Sequence, residues 1–336
     1  MTITQADWSD ILTVLHESRE IWSPGLQKDQ YQDYIWRSIN HPWARRNYKF
    51  IVLKEHGRIV CSCKLYDVSL NSRGESYRFG GIGAVYTMKQ ARGQGFASKM
   101  IQSVLDACSE DGYDGAILFS DISPDFYAQF GFLEFGAADF GANLPRSPEF
   151  KDYVAPEVAY VEDSDVQNMI RIYKRWQRSQ PFAFDRDEKY LDYKLAKERY
   201  LADHSTLAWP RLEITYALEN GTQTGYALTE RGGHNLRILE LIGTESARHQ
   251  LWWKLIEHAI THRMHKIRGW ESVATDLFPG FRLEQVLPAE LVTKHLFKPL
   301  TYSIRTWGRP MFLSFDESLD DWADFFPCPI LELDHL

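Results

Sequence analysis

The chain has 336 residues, 44% of them apolar and 25% charged, with a formal net charge of −8. A single core rarely grows beyond about 250–300 residues, so two domains are expected. The acidic balance argues against a binder of nucleic acid or of an anionic membrane surface. No apolar run approaches the ~20 residues of a transmembrane helix, and four cysteines do not make a disulfide scaffold.

Met1 to Asp10 carries Asp7 and Asp10 and lacks a basic stretch followed by an apolar one, so no signal peptide is indicated. The expectation is a cytoplasmic protein with reduced thiols, a monomer or homodimer, and neither a nucleic-acid nor a membrane partner.

Asp10 to Glu20 places Ile11, Val14 and Leu15 on one helical face, and Lys28 to Ile39 does the same with Tyr31, Tyr34 and Ile35. Asn40-His41-Pro42 stops the second helix. Phe50 to Leu53, the turn Glu55-His56-Gly57 and Ile59 to Tyr66 read as a hairpin. Tyr77 to Thr87 is a third, glycine-rich strand. Ala97, Met100, Ile101, Val104, Leu105 and Cys108 then recur at helical spacing, the pattern of an amphipathic helix lying on a sheet, and Gly112 ends it. Ala116 to Phe119 is a short strand and Pro124 to Phe130 a short helix.

Pro145, Pro148 and Pro156 punctuate a polar stretch, Gly141 to Pro156, which marks a boundary between domains 1–155 and 156–336. The second part repeats the order of the first. Helices at Val166 to Trp176 and Glu188 to Tyr200 precede a hairpin, Glu213 to Leu218 with Gly225 to Thr229. A strand at Leu236 to Ile242, a helix at His249 to Met264 and a strand at Ile267 to Ser272 follow. A degenerate duplication explains the repetition, although helix and strand alternate in many α/β chains.

The most informative stretch is Val85-Tyr86-Thr87-Met88-Lys89-Gln90-Ala91-Arg92-Gly93-Gln94-Gly95-Phe96-Ala97-Ser98. A strand ends, a loop with two glycines follows, and a long helix begins. Helix N-termini expose unpaired N–H groups and the positive end of the helix dipole, and glycines let a phosphate come close. The pattern suits a pyrophosphate. It is equally compatible with a plain glycine turn. Neither G-x-x-x-x-G-K-S/T nor a full G-x-G-x-x-G is present.

This stretch resembles the GNAT superfamily of N-acetyltransferases. Gln90-x-x-Gly93-x-Gly95 matches that family's signature Q/R-x-x-G-x-G/A, and Tyr127-Ala128-Gln129-Phe130-Gly131-Phe132 matches its downstream Y-x-x-x-G-F/Y. The resemblance implies an α/β (α+β) fold, a mixed, mostly antiparallel GNAT-like sheet flanked by helices, followed here by a second GNAT-like domain. It implies acetyl-CoA as co-substrate and no metal. Val85, Tyr86 and Thr87 would face the pantetheine arm. Gln90, Arg92, Gly93, Gln94, Gly95, Phe96, Ala97 and Ser98 would form the pyrophosphate loop. Tyr127 would protonate the departing thiolate, since a phenol with a pKa near 10 keeps its proton at neutral pH. Gly80, Gly81 and Gly83 are compatible with the bulge that parts the fourth strand from the fifth, or with a merely weak strand.

An attacking alkyl amine must lose a proton. Many family members place a glutamate on the fourth strand, but Ile82 to Thr87 has no carboxylate. Asp121 and Asp125 are candidates, although Asp125 suits the first turn of a helix.

In the second half, Gly243-Thr244-Glu245-Ser246-Ala247-Arg248 lacks a Gly-x-Gly and carries an acid where a phosphate would sit, so no second CoA site is expected. This half would wall the acceptor cleft. Arg305 and Arg309 are candidates to clamp a substrate carboxylate or to make structural ion pairs. From Asp316 to Leu336 there are seven acids and no Lys or Arg, with Trp322, Phe325 and Phe326 among them. This reads as a solvated end, or as a segment folding back toward a cationic substrate. His258, His262 and His265 share a helical stripe that reads as exposed, and Cys61-x-Cys63 reads as one face of a strand.

The segment Phe119 to Tyr127 and the extended second half are similar to fungal lysine acetyltransferases, which implies a small-molecule amine acceptor, lysine-like or polyamine-like. A CoA-sensing module without turnover and an enzyme acting on protein amines are the alternatives.

Overall fold

A computed structural model describes residues 1–23, 25–144, 159–160, 165–204, 211–270, 301–316, 319, 322 and 328–336. The linker prolines, Glu271 and Ser272, and the tail residues Glu317, Asp320, Asp321, Asp324, Phe325 and Phe326 lie outside the described residues.

The first half runs β1 (Thr2–Gln5), α1 (Trp8–Trp22), α2 (Lys28–Asn40), α3 (Ala44–Asn47), β2 (Tyr48–Glu55), β3 (Arg58–Ser72), β4 (Glu75–Thr87), α4 (Phe96–Glu110), β5 (Gly115–Ser120), α5 (Asp125–Ala128), β6 (Leu133–Glu134) and β7 (Ala138–Asn143). The second runs β8 (Ala159–Tyr160), α6 (Asp165–Gln177), β9 (Ala183–Phe184), α7 (Glu188–His204), β10 (Arg211–Glu219), β11 (Thr222–Gly232), β12 (Asn235–Gly243), α8 (Glu245–Thr261), β13 (Lys266–Trp270), β14 (Thr301–Ile304) and β15 (Arg309–Ser314).

Local chemistry explains the boundaries. Asp7 caps α1 by accepting from the Asp10 N–H at 2.9 Å, and the Asp10 side chain accepts from the Asp7 N–H in return. His56-Gly57 and Asn220-Gly221 both take positive φ, the two-residue turn that matches strand twist, and close the β2–β3 and β10–β11 hairpins. Phe96, Met100, Ile101, Val104, Leu105 and Cys108 of α4 are all buried on the sheet, each large aliphatic contributing about 1.5–3 kcal/mol.

The strands form two sheets. One has the order β1-β2-β3-β4-β5-β15-β6, the other β8-β10-β11-β12-β13-β7-β14. Both carry the same pairing pattern: three antiparallel pairs, one parallel pair (β4 with β5, β12 with β13), then two antiparallel pairs.

The sheets exchange strands across the expected 155/156 division. β7 pairs with β13, with Ile267 opposite Ala142, and β15 pairs with β5, with Phe312 opposite Ile117. The stretch from Gly141 therefore starts inside a strand, not in a linker. A local hydrophobic pattern marks a strand but does not name its neighbour. Phe140 fills the core of the second half and Met311 that of the first, whereas Phe312 belongs to a third cluster that joins Phe79 and Ile117 to Phe182 and Trp270. The halves are thus interlocked by main-chain hydrogen bonds.

The acidic tail is not a solvated end where it is described. Trp322 stacks on Phe182 at 4.8 Å and lies near Phe79 and Phe312. Glu332 and Asp334 are buried against Arg237 and Arg186, so they are not offered to a substrate.

Candidate active site

β4 and β5 run in parallel register from Phe79–Gly115 to Ile82–Leu118, and there the pairing stops. β4 continues to Thr87 and β5 to Ser120, so the two strands part beyond Ile82. The cause lies in β4 itself. Its register against β3 slips between Ser62–Tyr86 and Lys64–Gly83, and Ala84 takes φ +48. An extra residue in one strand bends it and raises its twist. The bulge is carried by Ala84 and not by the glycines before it. Gly83, Ala84 and Val85 are half-buried, whereas Phe79 to Ile82 before them are buried.

The glycines have separate reasons. A Cβ at Gly80 would meet the Cys108 sulfur at 2.7 Å, and one at Gly81 would meet Leu336 Cδ1 at 2.5 Å. Gly80 lets α4 lie close on one face of the sheet. Gly81 lets residues 328–336 lie close on the other.

The loop after β4 is held from below. The Glu17 carboxylate accepts from the Lys89 N–H at 3.0 Å and from the Tyr86 hydroxyl at 3.4 Å. Ala91 N–H bonds Met88 O at 2.8 Å in a single 3-10 turn, Lys89–Ala91. Gly93 and Gly95 take φ +74 and +76, and a Cβ at either would meet nothing within 4 Å. Gly95 is the N-cap of α4 and supplies no side-chain cap, and no acid sits in the first turn. By helix geometry the N–H groups of Phe96, Ala97 and Ser98 lack intrahelical acceptors. They lie at the positive end of a fifteen-residue helix. The Arg92 guanidinium lies 5.6 Å from the Tyr86 ring and its Nε donates to Thr87 O at 3.3 Å. The Gln94 amide donates to Gln90 O at 3.4 Å. Val85 and Thr87 are half-buried, whereas the Tyr86 ring packs inward against Trp22.

Tyr127 sits on α5, directly after β5. Its ring is buried edge-on to Phe126 and Phe132. Burial, reinforced by Asp121 and by the Cys63 and Cys61 thiols, pushes its phenol up to about 12.

The acetyltransferase (GNAT) domain family matches residues 9–135, the stretch that holds the bulge, the loop and Tyr127. Over 120 residues the chain is 28% identical to N-alpha-acetyltransferase 30 of Schizosaccharomyces pombe, covering 33% of this chain and 74% of that protein. Residues 9–135 are a GNAT acetyltransferase domain.

The likeness of fold extends well past the family match. A GCN5-related N-acetyltransferase from Anabaena variabilis superposes with a TM-score of 0.65 at 16% identity, over 93% of this chain and 72% of that one. Saccharomyces cerevisiae N-myristoyltransferase, with bound myristoyl-CoA, gives 0.52 at 11% identity, over 93% and 78%. The acetyltransferase takes its acyl group from acetyl-CoA, which supplies a thioester-activated carbonyl.

The corresponding loop in the second sheet is built differently. Thr244 caps α8 by accepting from the Ala247 N–H at 3.1 Å, and Glu245 stands in the first turn. A Cβ at Gly243 would lie 2.5 Å from the Gly225 Cα, so no space opens there.

The second half instead meets the first through α7 and the end of the tail. α7 crosses α2, where the Tyr200 hydroxyl donates to Asp33 at 3.0 Å and to Gln30 O at 2.9 Å. Tyr193 of α7 stacks on Trp43 at 4.8 Å. Residue 336 lies against β4, with the Leu336 main-chain carbon and oxygen 3.6 Å from where a Cβ of Gly83 would stand.

Several candidates take other roles. Asp121 accepts from the Gly308 N–H at 2.7 Å, and Asp125 opens α5, where it accepts from the Ser123 hydroxyl at 2.9 Å. Arg305 lies 3.7 Å over the Trp270 ring and 3.5 Å from Asp139, and Arg309 lies 3.8 Å from Glu134. Both arginines are structural. His258 is buried and not exposed, because Glu213 on β10 offers it an acceptor at 2.8 Å. Cys61 and Cys63 share one buried face, and burial pushes the Cys61 thiol up to about 11. Sequence reasoning offered the second half as a cleft wall and the tail as a segment folding back, but it named neither α7 nor Leu336. The helical stripe of α7 was visible, but nothing local ties it to β4.

Proposed function

We propose that the enzyme acetylates a primary amine of a small molecule by direct attack in a ternary complex. The observation that carries this reading is the break in β4–β5 pairing at the Ala84 bulge, one loop away from an uncapped, acid-free helix N-terminus. The N–H groups of Phe96, Ala97 and Ser98 would hold a diphosphate, with Gly93 and Gly95 allowing it to approach. Gln90, Arg92 and Gln94 would border it, and Val85, Tyr86 and Thr87 would offer strand backbone to the pantetheine arm. The thioester carbonyl then lies in the gap beyond Ile82.

The amine enters from the α7 side. Leu336 main-chain oxygen, close to Gly83, is placed to accept a hydrogen bond from it. The amine nitrogen bonds to the carbonyl carbon and the carbon–sulfur bond breaks. Tyr127 gives its proton to the leaving sulfur, a role suited to a phenol that stays protonated at neutral pH. The surplus proton of the amine passes to water in the cleft.

The wall made by α7 and residues 332–336 supports a small acceptor. The name of the Schizosaccharomyces pombe relative favours a second reading, a protein α-amine. Release of free thiol from acetyl-CoA with a panel of small amines and of short peptides with free N-termini tests both. Turnover with small amines alone supports the first reading. Turnover with peptides alone overturns it. CoA binding without turnover on any amine points to a sensor.

A further inference from the structure

The face of the first sheet that looks toward α7 carries two ammonium groups that the fold does not use. Lys64 on β3 is paired in register with Gly83, so its side chain leaves the sheet on the same face, beside the bulge. Lys197 on α7 lies close enough to it for the two charges to oppose each other. Among the described residues, neither ammonium has an ion pair or a hydrogen bond. Lys197 lies only against the Tyr193 ring, at 5.4 Å. Both side chains keep accessible surface while sitting deep between sheet and helix, as do Tyr34, Tyr48 and Glu198 around them. Neither is sealed into the core.

Two buried cations without counter-ions are costly unless a ligand supplies the charge. Desolvation, aided by Lys197, holds Lys64 down at about 7. Glu198 does not neutralise the pair. It also faces Arg237, and no ion pair to either lysine forms within 4.0 Å. Lys194, the third lysine of α7 on this side, is already satisfied by His335 O at 2.7 Å. A polyamine would bring only positive charge into this space. A carboxylate would bring the missing negative charge.

We propose that Lys64 and Lys197 form a binding site for the carboxylate of the acceptor, which makes the acceptor an amino-acid-like amine and not a polyamine. The assignment rests on the N-acetyltransferase reading above. The carboxylate sits between the two ammonium groups, and the acceptor chain runs along the cleft so that its amine meets the β4 bulge.

The test compares L-lysine with its decarboxylated counterpart, 1,5-diaminopentane, in thiol release from acetyl-CoA, and measures lysine binding to the CoA-loaded enzyme by calorimetry. Wild type should prefer lysine by about tenfold or more in kcat/KM. Lys64→Met and Lys197→Met should each raise the lysine KM about tenfold. They should change kcat little, and they should lower the diaminopentane KM or leave it where it is, since a like charge is removed. Lys64→Arg should recover much of the affinity, which a purely structural lysine would not require.

An unchanged lysine KM in both Met variants overturns the proposal while leaving N-acetylation intact. So does a wild type that uses diaminopentane as well as lysine. Lysine binding that depends on Lys64 without thiol release supports the anion site and removes the acetylation reading instead. Absence of both binding and turnover with lysine overturns the proposal.

Discussion

Arg186 and Asp334, 148 positions apart, share two parallel hydrogen bonds, Nε to Oδ1 at 2.9 Å and Nη2 to Oδ2 at 2.6 Å. Both side chains are almost fully buried, Glu240 approaches the same guanidinium at 2.6 Å, and Tyr190 donates to Asp334 at 3.0 Å. This clasp fixes the chain two residues before Leu336. It therefore sets the distance between Leu336 and Gly83, and links the order of the second half to the surroundings of the β4 bulge.

Asp334→Asn removes one of the two carboxylates on the Arg186 guanidinium and leaves Glu240 to neutralise it. It should destabilise the protein by about 1.5–3 kcal/mol in urea unfolding, through the lost charge-assisted hydrogen bonds. It should also lower kcat/KM for the amine on the order of ten- to a hundredfold through misplacement of the cleft wall. The KM for acetyl-CoA should hold, because the Gln90 to Ser98 loop is anchored from Glu17. Loss of affinity for acetyl-CoA equal to the loss for the amine would show that the tail does not act at the acceptor side.

Tyr127→Phe removes the hydroxyl and keeps the ring among Phe126 and Phe132. The expected outcome is a fall in kcat of about 100-fold or more with the KM for acetyl-CoA unchanged. The protonated phenol is the active form, and burial has moved its pKa up to about 12. The pH profile of kcat should therefore show no descending limb from this group up to at least about pH 11. A variant with near wild-type kcat would make Tyr127 a packing residue.

Gly95→Ala separates backbone strain from site chemistry. An L-residue in the left-handed region costs about 1–2 kcal/mol, and the added methyl stands where the loop is open. We expect a raised KM for acetyl-CoA and a kcat for bound substrate that is little changed. Gly57→Ala is the control, since Gly57 has φ +78, equally open surroundings and a place in the distant β2–β3 turn. It should cost similar stability and leave the KM alone. Equal KM changes in both variants would show that strain, and not the loop, controls binding.

Much of this site was legible because its signals are local. Gln90, Gly93 and Gly95 announce a strand–loop–helix turn by their own conformational needs, and the stripe from Ala97 to Cys108 announces the helix behind it. What stayed hidden depends on contacts far apart in sequence. β15 reads as an ordinary apolar run, and only Met311 opposite Leu118 and Phe312 opposite Ile117 show that it belongs to the first sheet. The acids of the tail suggest solvent until Arg186 and Arg237 are seen opposite Asp334 and Glu332. Ala84 gave no signal at all, since the positive φ of the bulge falls on an alanine although the permissive Gly83 stands beside it, and functional geometry overrides preference.

The second half has its own pH-sensitive tie. Glu213 accepts from His258 at 2.8 Å and from Arg231 at 2.7 and 3.0 Å. Burial opposes ionisation of Glu213, but these hydrogen bonds outweigh it and hold the carboxyl at about 2, against 4.5 for an ordinary glutamate. The folded value lies below the unfolded one. The stabilisation, about 3 kcal/mol, is therefore complete above about pH 5 and is lost as pH falls from the unfolded value through about 2. Glu213→Gln should unfold at lower urea than wild type at pH 6, and the gap should narrow steadily toward pH 2.5. A gap that stays constant over that range would mean that Glu213 stabilises the fold by packing and not by its charge.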